Sequence, residues 1–186
     1  MEFNIENLMK TAIEEMQNSQ HSEASKHFDM VVIHDSTNIE APFFRAYCNC
    51  YDIKLGEMAN AATMFTNAFC RYVDAVVLLD DPDAKREKLD YAVTLLNELI
   101  PMYKANASRC TLTAPSVGLG ITNAASSMNT TCRNKILNCG VAVSVEIMEA
   151  NEKHASSANS TGCGLAALVI LGCVAFGLYM AWIWFM

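Results

Sequence analysis

The chain is expected to be all-α, with antiparallel helical hairpins followed by a long amphipathic helix and one C-terminal transmembrane helix. Three observations predict this class. From Ile5 to Ala150, apolar residues recur mostly at spacings of three and four, the signature of one helix face. The first half contains no run that alternates apolar and polar residues as a half-buried strand does. The last 24 residues, Cys163 to Met186, contain no charged side chain.

That final segment sets the expected organisation. At about 1.5 Å per residue it reaches about 36 Å, enough to cross a hydrocarbon core of roughly 30 Å with some tilt. It is apolar on every face, as a membrane span is and a one-sided core helix is not. Tyr179, Trp182 and Trp184 gather at its distal end, where amphipathic rings favour the membrane interface. Cys173, Gly177 and Ala181 form a stripe of small residues through which two copies could associate as a homo-oligomer. The N-terminus, MEFNIENLMKTAIEEMQNSQ, lacks the basic and uninterrupted apolar regions of a secretory signal. The expectation is therefore a single-pass, tail-anchored membrane protein with its remaining part in the cytoplasm and membrane lipid among its partners. Its divisions are a helical domain over 1–109, a long amphipathic helix over 110–150, a polar tether over 151–162 and the span over 163–186.

Taken in order, Ile5, Leu8, Met9, Ala12, Ile13 and Met16 define the first helix, and Asn18 to His21 end it. Ser22 is placed to cap a second helix, whose Ala24, Phe28, Val31 and Val32 make one stripe up to a turn at Asp35 to Asn38. A third helix is expected from Ile39 to Leu55, with Pro42 in its first turn, Phe43, Phe44, Tyr47 and Tyr51 supplying bulk, and Gly56 as a left-handed cap. The fourth runs from Glu57 towards Leu79 and is stopped by Asp80-Asp81-Pro82. The fifth runs from Asp83 to about Lys104, kinking or ending near Pro101. After Thr113 and Pro115, Val117, Ile121, Ala124, Met128, Cys132, Ile136, Cys139, Val143, Ile147 and Ala150 form a narrow seam about 50 Å long, which packs on the bundle or pairs with its own copy. Gly118, Gly120 and Gly140 weaken that helix by up to about 1 kcal/mol each relative to alanine.

The small and aromatic positions of the two hairpins resemble those of tetratricopeptide repeats. Leu8, Ala12, Ala24 and Phe28 stand where that family's packing residues stand in a first unit, and Gly56, Ala61, Phe65 and Ala68 do so in a second. Ala24 and Ala61 are 37 positions apart, whereas the repeat has about 34, and Ser36 replaces the customary closing proline. The resemblance covers residues 5 to 70. It implies a concave groove that holds an extended or helical peptide.

Composition narrows the chemistry. The formal charge is −7, and the 13 lysines and arginines are scattered, so no basic patch marks a nucleic-acid partner. None of the eight cysteines forms a CxxC pair, and most fall at apolar helical positions where a free thiol is a small hydrophobe. Cys48 and Cys50 read as ordinary helix residues in a reducing compartment. His27 and His34 are seven apart but lack a cysteine or carboxylate at ligand spacing, and Glu14-Glu15 reads as a solvated face. Asn106, Asn129 and Asn159 match the glycosylation pattern at a frequency expected by chance. No catalytic, cofactor-binding or metal-binding residue is assigned. Asn4, Asn7 and Thr11 are weak candidates for lining the groove.

The expected function is that of a non-enzymatic, membrane-anchored adaptor or scaffold that binds a protein or peptide partner at the cytoplasmic membrane face. The alternative is a structural membrane protein that forms homo-oligomers through the long helix and the anchor.

Overall fold

Each hairpin begins with an amphipathic helix that cannot bury its apolar face alone. In the computed structural model, which describes residues 4–110 and 113–144, these faces are buried by antiparallel neighbours. The helices are α1 (Ile5–Gln17), α2 (His21–His34), α3 (Ala41–Cys48), α4 (Met58–Val77), α5 (Pro82–Cys110) and α6 (Pro115–Leu137), with a 3-10 turn at Leu55–Glu57 before α4. The described residues contain no strand. α1 packs on α2, α2 on α3 and α3 on α4, while α6 lies against both α4 and α5.

Rings fill the centre of the first four helices. Phe43 stacks on Tyr72 at 4.5 Å between centroids and touches Phe44, Phe65 and Phe69 at 5.4, 5.7 and 5.9 Å. Phe28 joins through Phe44 at 5.5 Å. Tilted and offset ring pairs of this kind add about 0.5–1.5 kcal/mol beyond the area they bury. The second half of the core is aliphatic, with Leu89, Leu96 and Leu99 of α5 buried together with Ile121, Met128 and Cys132 of α6. Tyr103 carries its one polar atom into this core and satisfies it by donating to the Met58 carbonyl at 3.0 Å.

Several boundaries differ from those expected, each for a local reason. α2 begins at His21, and its N-cap position is Gln20 and not Ser22. α3 has 8 residues and stops at Cys48. Beyond it the chain tightens into three-residue turns, the Cys50 and Tyr51 N–H groups donating to the Tyr47 and Cys48 carbonyls at 3.0 Å, and then turns away at Asp52, which is left-handed at φ 52°. Gly56, expected to do so, lies inside the 3-10 turn. α5 does not end near Pro101 but continues past it, for 29 residues in all. Pro101 faces solvent there, and burial of Ile100, Tyr103, Ala107 and Cys110 carries the helix past it. α6 ends at Leu137 instead of continuing to Ala150, because the chain turns through Gly140 at φ +76°. It is therefore about 35 Å long. Ser144 then anchors the returning chain to α5, its N–H and hydroxyl both donating to Asp90 at 2.9 and 2.6 Å.

The membrane-anchored architecture is corrected. Among the described residues no helix is long and apolar enough to cross a membrane, and the span expected at 163–186, with its Cys173, Gly177 and Ala181 stripe, lies outside those residues, as does the tether. What stands is an all-α bundle of six described helices. The single-pass location, the lipid contact and the two membrane-based functions rested on the span and are corrected with it.

All six described cysteines are free thiols, four of them buried. Burial pushes Cys48 and Cys50 up to about 12, so neither supplies the reactive thiolate at neutral pH. On exposing the native chain to a maleimide at pH 7.5, Cys139 and Cys70 are expected to label while Cys48, Cys50, Cys110 and Cys132 stay unmodified until denaturant is added. Peptide mass mapping distinguishes this from early modification of Cys48, which would show that the end of α3 opens.

Candidate functional site

The expected groove residues Asn4, Asn7 and Thr11 serve α1 itself. The Asn4 side chain caps the helix by accepting from the Asn7 N–H at 3.0 Å, and the Thr11 hydroxyl donates to the Asn7 carbonyl at 3.0 Å. Nearby, Ile5, Met9 and Ile13 form an open apolar groove of about 720 Å³ beside Asp35 and Asn38. Its walls come from one helix and one turn.

A different cleft, of about 420 Å³, is lined from three stretches of the chain: the α1–α2 junction, α3 with the turn after it, and α5. The first contribution comes from the end of α1. There the Gln20 N–H donates to the Glu15 carbonyl and the Ser19 N–H to the Met16 carbonyl, with Ser19 left-handed at φ 60°. This is a Schellman closure with serine in the place glycine usually takes. It reverses the chain so that His21, first residue of α2, lies over α3. The imidazole stacks on Tyr51 with centroids 3.8 Å apart and meets Tyr47 edge-on at 5.9 Å. The second contribution is Tyr47, near the end of α3, with Tyr51 in the turn that follows it. The third is Tyr91, Leu95 and Glu98, which share one face of α5 at spacings of four and three.

The polar atoms form a directed chain. Tyr47 donates its single hydroxyl proton to the Glu98 carboxylate at 2.5 Å. The 2.9 Å contact between the two phenols must then run from Tyr51 to Tyr47, since Tyr47 has no second proton to give. Burial and the neighbouring Glu98 charge hold the Tyr47 phenol far above its ordinary value, and burial raises Tyr51 and Tyr91 as well. All three rings are neutral at physiological pH. His21 is shifted down, because its desolvation outweighs the attraction of Asp52 and Glu98, and its Nδ1 is buried without a hydrogen-bond partner. The site thus presents four neutral rings and one exposed carboxylate.

Other titratable residues serve structure. His27 is half-buried with Nδ1 2.6 Å from Glu15 Oε2, so Glu15, read as part of a solvated face, is not a free surface carboxylate. Arg45 pairs with Asp29 at 2.5 Å, and Lys88 with Glu40. Among the described residues no group of three or more histidine, cysteine or acidic side chains is placed to hold a metal ion. The sequence marked Tyr47 and Tyr51 only as bulk, and left His21 in a turn. A signal was present in α5, where Tyr91, Leu95 and Glu98 form a second face beside the Leu89, Leu96 and Leu99 stripe.

The fold and cleft define an all-helical protein of consecutive antiparallel hairpins with an aromatic, acidic cleft between elements of different hairpins. No protein-family model, curated protein or solved structure matches the chain.

Proposed function

We propose that this chain is a non-enzymatic helical scaffold that holds a segment of a protein partner in the cleft between α1, α3 and α5. The observation that carries the reading is that the opening helices of three successive hairpins contribute side chains to one concave site. Solenoids of helical hairpins bind extended partners on the surface that their first helices line. The resemblance to tetratricopeptide repeats belongs to this proposal. α1 with α2 and α3 with α4 are successive hairpins, and Ala12, Ala24, Phe28, Ala61 and Phe65 are buried between them. The 8 residues of α3 and the 29 of α5 depart from the repeat's lengths. Neutral phenols and a lone carboxylate also suit recognition better than catalysis, since they offer neither a nucleophile nor an acid–base pair poised near pH 7.

The test is site-resolved crosslinking in the full chain. A photoreactive benzoylphenylalanine at Gln17, exposed on the rim of the cleft, should give a discrete protein adduct on irradiation in cells. The same group at Ser126, exposed on α6, should not. Equal adducts from both positions, or none from Gln17, would overturn the proposal.

A further inference from the structure

We infer that the cleft accepts a positively charged side chain, lysine or arginine, from an extended segment of its partner, held between the tyrosine rings and the Glu98 carboxylate. This rests on reading the cleft as the partner-binding site, and it specifies the chemistry of what enters.

Charge is the first argument. Glu98 is the one charged residue among those lining the cleft, and it is exposed. Asp52, exposed on the turn after α3, places a second carboxylate close enough for its field to reach His21. No lysine or arginine lines the cleft to cancel them. The negative character is local and not a mere consequence of the chain's overall charge, because the groove between α3 and α4 has the opposite composition, with Arg45 and Arg71 in its walls.

Ring chemistry is the second. Tyr51 and Tyr91 are half-buried neutral phenols whose π faces carry partial negative charge, and a cation within about 6 Å of such a face is attracted, more strongly as water is excluded, while Tyr47 is buried and holds Glu98 in place. His21 is neutral and stacked on Tyr51, so it adds bulk without adding a competing charge. Tyr47 occupies one of the roughly four lone-pair positions of the Glu98 carboxylate, which leaves capacity for a donor from outside.

Competing occupants fit poorly. An acidic side chain would meet a carboxylate with no cation beside it. A purely apolar anchor would strip water from the Glu98 carboxylate while giving it no hydrogen bond in return, which is unfavourable. A guanidinium or ammonium group satisfies the carboxylate and the rings together, and a cleft of about 420 Å³ has room for such a side chain with its flanking backbone.

The probe is a positional-scanning array of acetylated decapeptides, incubated with the labelled full chain as wild type, Glu98→Gln and Tyr51→Ala. Wild type is expected to select lysine or arginine at one position. Glu98→Gln should weaken that selected binding about tenfold while leaving thermal stability unchanged, because the glutamine carbonyl still accepts from Tyr47. If binding is abolished by Tyr51→Ala but favours acidic or apolar residues, or is indifferent to Glu98→Gln, the cation assignment is wrong and the scaffold reading stands. Peptide binding that is absent, or is untouched by Tyr51→Ala, would overturn both.

Discussion

Replacing Phe65 by alanine is expected to remove about 3–5 kcal/mol from the stability of the bundle, and Phe28→Ala a similar amount. Both rings are fully buried, at 0 % exposure. The losses differ in mechanism from a simple transfer cost. Phe65 touches Phe43, Phe69 and Tyr47 at 5.7, 5.9 and 6.5 Å, so its removal leaves a cavity walled by rings that cannot collapse without moving α3. Phe28 holds α2 to α3 through Phe44. Against a total of about 5–15 kcal/mol for a typical domain, either change should shift the urea midpoint sharply or unfold the protein at 37 °C. A loss below about 1 kcal/mol at both positions would mean that the hairpins do not pack as described. Because Phe65 also contacts Tyr47, its variant should disturb the cleft before global unfolding, which tyrosine fluorescence would report.

The second large effect concerns two glycines only two residues apart on α6, for which opposite outcomes are expected. A Cβ on Gly118 would lie 3.0 Å from the Ala107 carbonyl oxygen and 3.2 Å from the Cys110 Cβ. Two backbones meet there, so relief requires α5 and α6 to separate, and Gly118→Ala should cost about 1–3 kcal/mol as overpacking does. Nothing lies within 4 Å of the corresponding position on Gly120. Gly120→Ala should therefore stabilise α6 by roughly 0.5–1 kcal/mol, the ordinary helical preference for alanine. Denaturant midpoints of the two single variants decide the matter, and destabilisation by both would show that α6 is strained for another reason. From the sequence alone these glycines looked equivalent, each a small helical penalty. Their difference is set entirely by what lies across the interface.

That contrast recurs through the chain. The existence of α1, α2, α4 and α5 could be read from apolar spacing because each buries a stripe, and burial of a stripe is a local property of the sequence. Phe28 and Phe65 were recognisable as core for the same reason. The length of α3 was not, because Tyr51, Ile53 and Leu55 keep its apolar character going although the backbone leaves the helix after Cys48 and turns away at a left-handed Asp52. α6 was overextended by a comparable error, since Cys139 and Val143 continue the seam in spacing although the backbone has already turned at Gly140.

An uncharged C-terminal segment and the net charge of −7 are properties the sequence determines by itself, as are the helical class of the hairpins and the identity of most core residues. Tertiary structure alone decided the cleft. His21, Tyr47 with Tyr51, and Tyr91 with Glu98 lie in three stretches separated by two intervening helices or turns, and no spacing rule connects them. They meet because α1 closes through a left-handed Ser19 and because α3 is short, so that Tyr47 and the turn carrying Tyr51 lie against α5. Chemistry of that kind depends on distances across hairpins, which are set by the packing of the whole core and have no periodic trace in the chain.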